Sequence, residues 1–355
     1  MFFRAGRVTM SASTFKKIVD RSIDKIALPS GLNSISYYTF YGCTNLTDVS
    51  IPESVTYIGY YAFYGCVMLT LTSLPSKLTL ISQACFRGCN NLALTSLPSG
   101  VTTIYDNAFY DCPKLALTSL PAGITEIQAY AFYNCKKLAL TNLPDGITYI
   151  GKYVFWGCTS LALTSLPTGI TYISNYAFAN CSSLALTSLP DSITAIYMYA
   201  FQGCSNLALT SLPSSYNLTY ISQAAFADCY KLALTSLPEC VTMIYGDAFY
   251  DCTGLTTFTL PSGLTSLYYR AFRGCTNLKL DTIPSGVKEI GNYCFYLCSS
   301  LTSITFKGTP TGTVSSTAFN SCTNLKDIYV PWSEGAVSNA PWGATNATIH
   351  YSSEV

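Results

Sequence analysis

Apolar residues recur along this chain with a long period that neither an isolated helix nor an isolated strand explains. A Phe followed three residues later by Cys stands at Phe40, Phe63, Phe86, Phe109, Phe132, Phe155, Phe178, Phe201, Phe226, Phe249, Phe272, Phe295 and Phe319. Ten of the twelve intervals are 23 residues, one is 25 and one is 24, and a Leu follows each of those Cys by three residues, from Leu46 to Leu325. A fixed period of this length is the signature of stacked repeats. The unit reads A-F-x-[GND]-C-x-x-L, then a short apolar stretch ending in L-P, then x-G-[IVL]-T-x-I, as in FYNCKKLALTNLPDGITYIGKYVF over residues 132–155. One such unit cannot bury its own Leu, Ile and Phe side chains, whereas a stack buries them as a continuous core. The pattern therefore predicts a β-rich repeat solenoid, with rungs about 4.8 Å apart on a parallel sheet.

Each column of the repeat carries its own expectation. The residue before Phe is Ala in nine of thirteen units, with Thr39, Cys85, Val154 and Cys294 as exceptions, so this column sits where coils approach closely. The residue two after Phe is Gly, Asp or Asn in eleven units, the types that tolerate a left-handed backbone, which marks a turn. Pro98–Gly100 and Pro144–Gly146 signal a second turn. The strand segment comes in two registers. Leu255–Pro261 reads L-x-x-F-x-L-P, whereas Leu92–Pro98 reads L-A-L-T-S-L-P, with its apolar alternation one residue earlier. Because side chains alternate sides with period two, the second register calls for a local bulge or an early turn.

The ends depart from the repeat as caps should. Ile23–Pro29 already reads as a first rung, and Phe15, Ile18 and Val19 within Ser13–Asp20 suit a short covering helix. Trp332 and Trp342 are large enough to plug the other end, and Ala347–Tyr351 can add a last strand. The expected organisation is an N-terminal helical cap over 1–22, a solenoid of 23-residue units over 23–331 and a C-terminal cap over 332–355.

The motifs L-x-x-[VIL]-x-[IL]-P, x-[LIV]-T-x-I and A-F-x-x-C resemble the leucine-rich repeat of BspA-like and Treponema-type surface proteins, from Ile23 to about Pro331. That resemblance implies the α/β class of leucine-rich repeat folds: a right-handed, curved solenoid of about 14 rungs, with a parallel β-sheet on one side and short turns or helical segments on the other. It also implies cell-surface adhesion, since similar proteins of mouth and gut microbes and of parasitic protists bind host matrix proteins. An extracellular, cell-surface location follows. No signal-peptide or anchor character is read between Met1 and Val355, which keeps a cytoplasmic location open.

Composition narrows the function classes. Of 355 residues 49% are apolar and only 10% charged, with 19 Lys plus Arg against 18 Asp plus Glu and a formal net charge of +1. A neutral chain lacks the basic footprint of a nucleic-acid binder, and no apolar run reaches the ~20 residues needed for membrane insertion. Thirteen of the sixteen Cys fall in one column, one per rung, which reads as a reduced core ladder rather than a disulfide set. Cys85/Cys89 and Cys294/Cys298 have C-x-x-x-C spacing, but Cys85 and Cys294 replace the small Ala, so no metal site is expected. Asp111, Asp228 and Asp251 belong to the turn column, and the pairs Asp106/Asp111 and Asp247/Asp251 read as turn and surface residues. His350 is the single His and lies in the terminal cap, without a nucleophile beside it in sequence. No enzymatic activity and no cofactor are expected.

What varies between units is surface. One residue after Phe come Tyr41, Tyr64, Arg87, Tyr110, Tyr133 and Trp156 among others, and two residues before it come Tyr61, Tyr130, Tyr153, Tyr176, Tyr199 and Tyr293. Between the repeated Thr and Ile come Tyr57, Tyr149, Tyr172 and Tyr220. Tyr offers rigid amphipathic contact at low entropy cost, the vocabulary of binding loops. Candidate ligand-binding residues are Tyr110, Tyr130, Tyr133, Tyr149, Tyr153, Trp156, Tyr172 and Tyr176. Tyr216–Asn217, in the 25-residue unit, is a second candidate. The leading expectation is a non-catalytic, monomeric module that binds a protein or glycan through these columns. Two alternatives stand beside it: a structural spacer or assembly component of a larger surface or tail structure, and a Thr ladder that organises water or ice, after Thr95, Thr118, Thr141, Thr164 and Thr102, Thr125, Thr148, Thr171.

Overall fold

The computed structural model describes residues 21–214 and 217–352. The helical cap expected over Ser13–Asp20 and the inserted Tyr216 lie outside the described residues. The described chain is a parallel-strand solenoid of about 14 turns, and no helix occurs among the described residues. It divides into two compact units, Met1–Leu140 with Pro144–Cys158, and Thr141–Leu143 with Thr159–Val355.

In the first unit, Lys25–Ala27 pairs with Asp48–Ser50, and Ser34–Ile35 pairs with Tyr57–Ile58, both parallel and 23 residues apart in register. Leu80–Ile81, Thr103–Ile104, Glu126–Ile127 and Tyr149–Ile150 form a four-stranded parallel sheet with the same offset. In the second unit, Tyr172–Ile173 pairs with Ala195–Ile196, and Tyr220–Ile221, Met243–Ile244, Ser266–Leu267 and Glu289–Ile290 form a four-stranded sheet. These strands are two residues long because T-x-I supplies one inward Ile and one outward residue between two turns. A third sheet of the second unit, Thr282–Ile283, Ser303–Phe306, Asp327–Val330 and Thr348–Tyr351, carries the last strand read in the sequence. Beside it Trp342 is fully buried, with Trp332 and Phe306 packed at ring distances of 5.4 to 6.4 Å.

The two registers of the L-P segment fold differently, and the parity argument says why. In Leu46–Pro52 the inward residues are Leu46 and Val49, and Asp48–Ser50 is a strand. In Leu92–Pro98 the buried residues are Leu92, Leu94, Leu97 and Pro98, while Thr95 and Ser96 both face outward. A strand cannot turn two consecutive side chains to one side. The chain therefore leaves the strand direction near the Thr, with a bend at Thr118 in the first unit and at Thr141, Thr164, Thr187, Thr210 and Thr235 in the second, though not at Thr95 itself. The backbone link between coils falls to single amide bonds there, such as Ala116 N–H to the Leu94 carbonyl at 3.1 Å and Ala208 N–H to the Leu186 carbonyl at 3.2 Å. The expected early turn is this bend.

Opposite the strands each coil closes through a double turn around Phe, and the turn has two left-handed residues. All thirteen positions two after Phe have positive φ, including the departures Leu297 (63°) and Ser321 (59°). Twelve positions two before Phe are left-handed as well, seven of them Tyr. This geometry turns alternate amides towards the next coil. Tyr130, Phe132 and Asn134 donate to the carbonyls of Lys152, Val154 and Trp156 at 3.0, 3.0 and 2.6 Å.

The Phe rings stack inside these turns, buried, with centroids 4.9 to 5.7 Å apart from Phe40 to Phe155 in the first unit. In the second unit the spacing is 5.1 to 5.6 Å from Phe178 to Phe319. The Cys column has a bonding role in the reduced state. The Phe132 carbonyl accepts the Cys135 amide of its own coil at 3.1 Å and the Cys158 thiol of the next at 3.0 Å. Phe226 does the same with Cys229 (3.2 Å) and Cys252 (3.0 Å). A small apolar side chain with a weak donor fits a dry site that contains a carbonyl. Cys85 and Cys294 fill the Ala column and are buried, so they are core residues.

Two consequences are measurable. Phe132→Ala is expected to cost about 3–5 kcal/mol of stability in denaturant titration, the usual range for a buried Phe. Burial pushes the core thiols well above their ordinary range, so the unfolded chain loses these protons first as pH rises past about 8.5. The stability they contribute is present below that pH and declines above it, so the thermal midpoint should fall from pH 8 to pH 10. A thiol reagent added to the native protein at pH 8 should label Cys240, the one Cys of the sixteen that is not buried, and label the rest only after unfolding.

Candidate functional site

The double turn sets the aromatic surface. In the first unit the column one residue after Phe is a continuous stack: Tyr41 on Tyr64 at 4.7 Å, Arg87 between Tyr64 (5.8 Å) and Tyr110 (4.1 Å), Tyr110 on Tyr133 at 4.4 Å and Tyr133 on Trp156 at 4.5 Å. The column two before Phe stacks beside it, Tyr38 on Tyr61 at 5.0 Å and Tyr130 on Tyr153 at 4.8 Å, with Ala84 and Asn107 between the pairs. The columns touch through tilted contacts, Tyr130 against Tyr133 at 6.0 Å and against Tyr110 at 6.3 Å.

This arrangement fixes what a ligand can meet. Near-parallel stacking with interplanar angles of 3° to 7° among Tyr110, Tyr133, Trp156 and the Tyr130–Tyr153 pair occupies ring faces with neighbouring rings. What remains outward is ring edges and hydroxyls, a row of polar tips on a stiff apolar wall, one per coil. Burial, reinforced by Tyr110 and Asp111, pushes the Tyr133 phenol up to about 12, so it stays a proton donor throughout the physiological range.

Tyr110, Tyr130, Tyr133, Tyr153 and Trp156 are thus brought together as the sequence suggested. Tyr149 stands on the strand Tyr149–Ile150 in register with Glu126, and about a third of its surface (37%) is exposed. Tyr172 and Tyr176 belong to the second unit, where Tyr172 packs edge-on against Tyr197 at 5.8 Å and Tyr176 stacks on Tyr199 at 4.5 Å. The sequence reading missed an equally dense plate in the first unit, formed by Tyr37, Tyr38 and Tyr41 against Tyr60, Tyr61 and Tyr64, with Tyr37 on Tyr60 at 5.3 Å. Its signal was the repeated Tyr-Tyr dipeptide at 37–38 and 60–61.

The carboxylates keep the turn role read for them: Asp111, Asp228, Asp247 and Asp251 all have φ between 53° and 59°. Asp247 also pairs with Arg270 at 2.8 Å, and Arg273 lies between Tyr250 and Tyr296 at 5.2 and 5.1 Å. Thr102 and Thr194 donate their hydroxyls to the carbonyls of Thr79 and Thr171 at 3.3 and 3.0 Å, so this Thr column ties coils together. His350 stacks on Tyr329 at 4.5 Å and meets Asp327 at 2.7 Å.

A short coil built on Leu, Phe and Cys columns, closed by a strand on one side and a double turn on the other, defines a leucine-rich repeat protein. The chain belongs to the BspA-type leucine-rich repeat family, whose model matches six copies over residues 8–139, 125–256 and 219–340. Such repeat proteins are generally non-enzymatic modules. A leucine-rich repeat protein from Bacteroides ovatus has the same fold, with 24% identity, a TM-score of 0.67 and coverage of 96% of this chain and 94% of its own. A leucine-rich cell surface protein from Faecalibacterium prausnitzii is 26% identical, with a TM-score of 0.54 and 84% of each chain covered. A search of curated proteins finds no significant match.

The backbone at the aromatic column makes a testable demand. Tyr130 and Tyr153 are left-handed at φ 59° and 57°, a conformation that costs a residue with a Cβ about 1–2 kcal/mol, whereas Asn107 occupies the same column at 56°. Tyr153→Asn is expected to change stability by less than about 1 kcal/mol, backbone relief offsetting a stacking loss of roughly 0.5–1.5 kcal/mol. Tyr153→Val, β-branched at positive φ, should cost about 2 kcal/mol or more; paired urea titrations check the contrast.

Proposed function

We propose that this chain is a non-catalytic recognition module that binds a protein or glycan through its aromatic columns, and that it acts at the cell surface in adhesion. The observation that carries the reading is the edge-out stack Tyr110–Tyr133–Trp156 beside Tyr130–Tyr153. Tyr130 and Tyr153 stand at left-handed positions, a backbone cost that Asn bears more easily at Asn107 in the same column, and strained residues cluster at functional sites. The low charge of the chain, 10%, supports the same reading, because the outer coat is made of groups that bind as well as solvate. The description of the Faecalibacterium prausnitzii relative as a cell surface protein supports the location.

Immobilised host matrix proteins and a glycan array, probed with the full chain, test the proposal. Retention on at least one ligand is expected, with a loss of tenfold or more in the Tyr133→Ala/Tyr153→Ala/Trp156→Ala variant, since truncated aromatic anchors carry most binding energy. Equal retention by wild type and variant removes the site from this patch, and empty screens throughout favour a structural spacer.

A further inference from the structure

A second place on the same column differs from the rest. A groove of about 480 Å³ runs across successive coils of the first unit. One wall is Tyr64, Arg87 and Tyr110, the opposite wall includes Asn90, and Asp111 and Asn134 close one end, joined by a side-chain hydrogen bond of 2.7 Å. Its volume falls in the roughly 300–1,000 Å³ range of small-ligand sites. The floor is bare because the left-handed column here reads Gly65 and Gly88, and a Cβ at either would meet only a neighbouring glycine backbone at 3.7 to 3.9 Å. Left-handed geometry does not demand this, since Asp111, Asn134 and Asn180 hold it with side chains. Elsewhere the carboxamide or carboxylate of the preceding coil roofs the single glycine, Asn134 over Gly157 and Asp251 over Gly274.

Arg87 gives the groove its chemistry. Both faces of its guanidinium are covered by Tyr64 and Tyr110, so only its edge can bond a ligand. Its Nη1 is tied back at 3.2 Å to Asn107, which does not line the groove. The Nε and Nη2 edge that remains has the fork geometry that takes a carboxylate through two parallel bonds. The Asp111 carboxylate lies one coil beyond, roughly 4.8 Å along the stack, and the Asn134 carboxamide two coils beyond, while Asn90 stands on the Arg87 coil. The Asn90 amide donates to the Gly88 and Asp111 carbonyls at 3.1 and 3.2 Å, so its oxygen is left to accept from a sugar hydroxyl, beside the oxygens of Asp111 and Asn134. An acidic peptide offers carboxylates with few hydroxyls beside them, whereas a uronic acid places one carboxylate at one atom of each ring and hydroxyls at the others.

We infer that this groove binds an acidic oligosaccharide, its uronate carboxylate on Arg87 and its hydroxyls on Asp111, Asn90 and Asn134. The inference deepens the binding function proposed above and rests on that reading only through Tyr110, which both surfaces share.

Titration calorimetry of the full chain with digalacturonic acid, neutral digalactose and the dipeptide Glu-Glu tests it. Digalacturonic acid is expected to bind at least tenfold more tightly than either comparator. Arg87→Gln should reduce that affinity by tenfold or more. Gly88→Asn, which places in the groove a side chain that the same column accepts at Asn134 and Asn180, should do so with an unchanged thermal midpoint. Digalacturonic acid binding no better than digalactose, Glu-Glu binding equally well, or full affinity in a folded Gly88→Asn variant each overturns the assignment. A failed titration leaves the protein and glycan screens of the Trp156 patch untouched, and an empty screen leaves this titration untouched, so the two failures are distinguishable.

Discussion

Everything in this molecule follows from the need to return the chain, every 23 residues, to a point one strand spacing further on. Two left-handed residues around twelve of the thirteen buried Phe make that return. They close the coil over the ring and aim alternate amides at the carbonyls of the next coil, as Tyr130, Phe132 and Asn134 do towards Lys152, Val154 and Trp156. With backbone donors and acceptors satisfied at the turn, very short strands suffice on the other side. Cys supplies the remaining donor for a carbonyl that already accepts one amide. The core columns are uniform because every coil meets the same geometry, and the residues that vary are those the geometry leaves outside.

The same constraint shapes the candidate site. Neighbouring coils are about one aromatic thickness apart, so a Tyr in a given column finds its neighbour's Tyr parallel to it, and stacking is a property of the repeat rather than of any pair. A ligand consequently meets hydroxyls and edges. Where the column changes type, at Arg87, the flanking rings hold a cation in one plane. Where its neighbour loses side chains, at Gly65 and Gly88, the surface opens. The distinctive chemistry of this surface lies in departures from the repeat, and the repeat makes those departures visible.

The fold was legible in the sequence to an unusual degree, and the reason is redundancy: thirteen Phe–Cys pairs repeat one physical statement. The Gly, Asp and Asn column announced its backbone because those residues tolerate positive φ. The companion column two before Phe did not, because it is occupied chiefly by Tyr, a poor left-handed residue whose conformation is imposed by the turn on the other side of the ring. The L-A-L-T-S-L-P parity break was readable as an interruption, and the structure places the bend at its Thr. Site grouping was only half legible. Columns could be read, but which rings share one wall depends on where each column emerges, and Tyr149 emerges on the strand side rather than at the turn.

The bend at the Thr also sets how these coils respond to load. At residues 130–156 of the first unit, the turn joins neighbouring coils through three amide bonds, whereas the bent flank is joined at Ala139 N–H to the Leu117 carbonyl. A force drawing coils apart is carried by the turn seam and by the strand ladder, where Thr148 and Gly151 donate to the Thr125 and Ile127 carbonyls, while the bent flank gapes first. A module built this way is anisotropic: stiff along the turn edge that carries its aromatic wall and compliant along the bent flank.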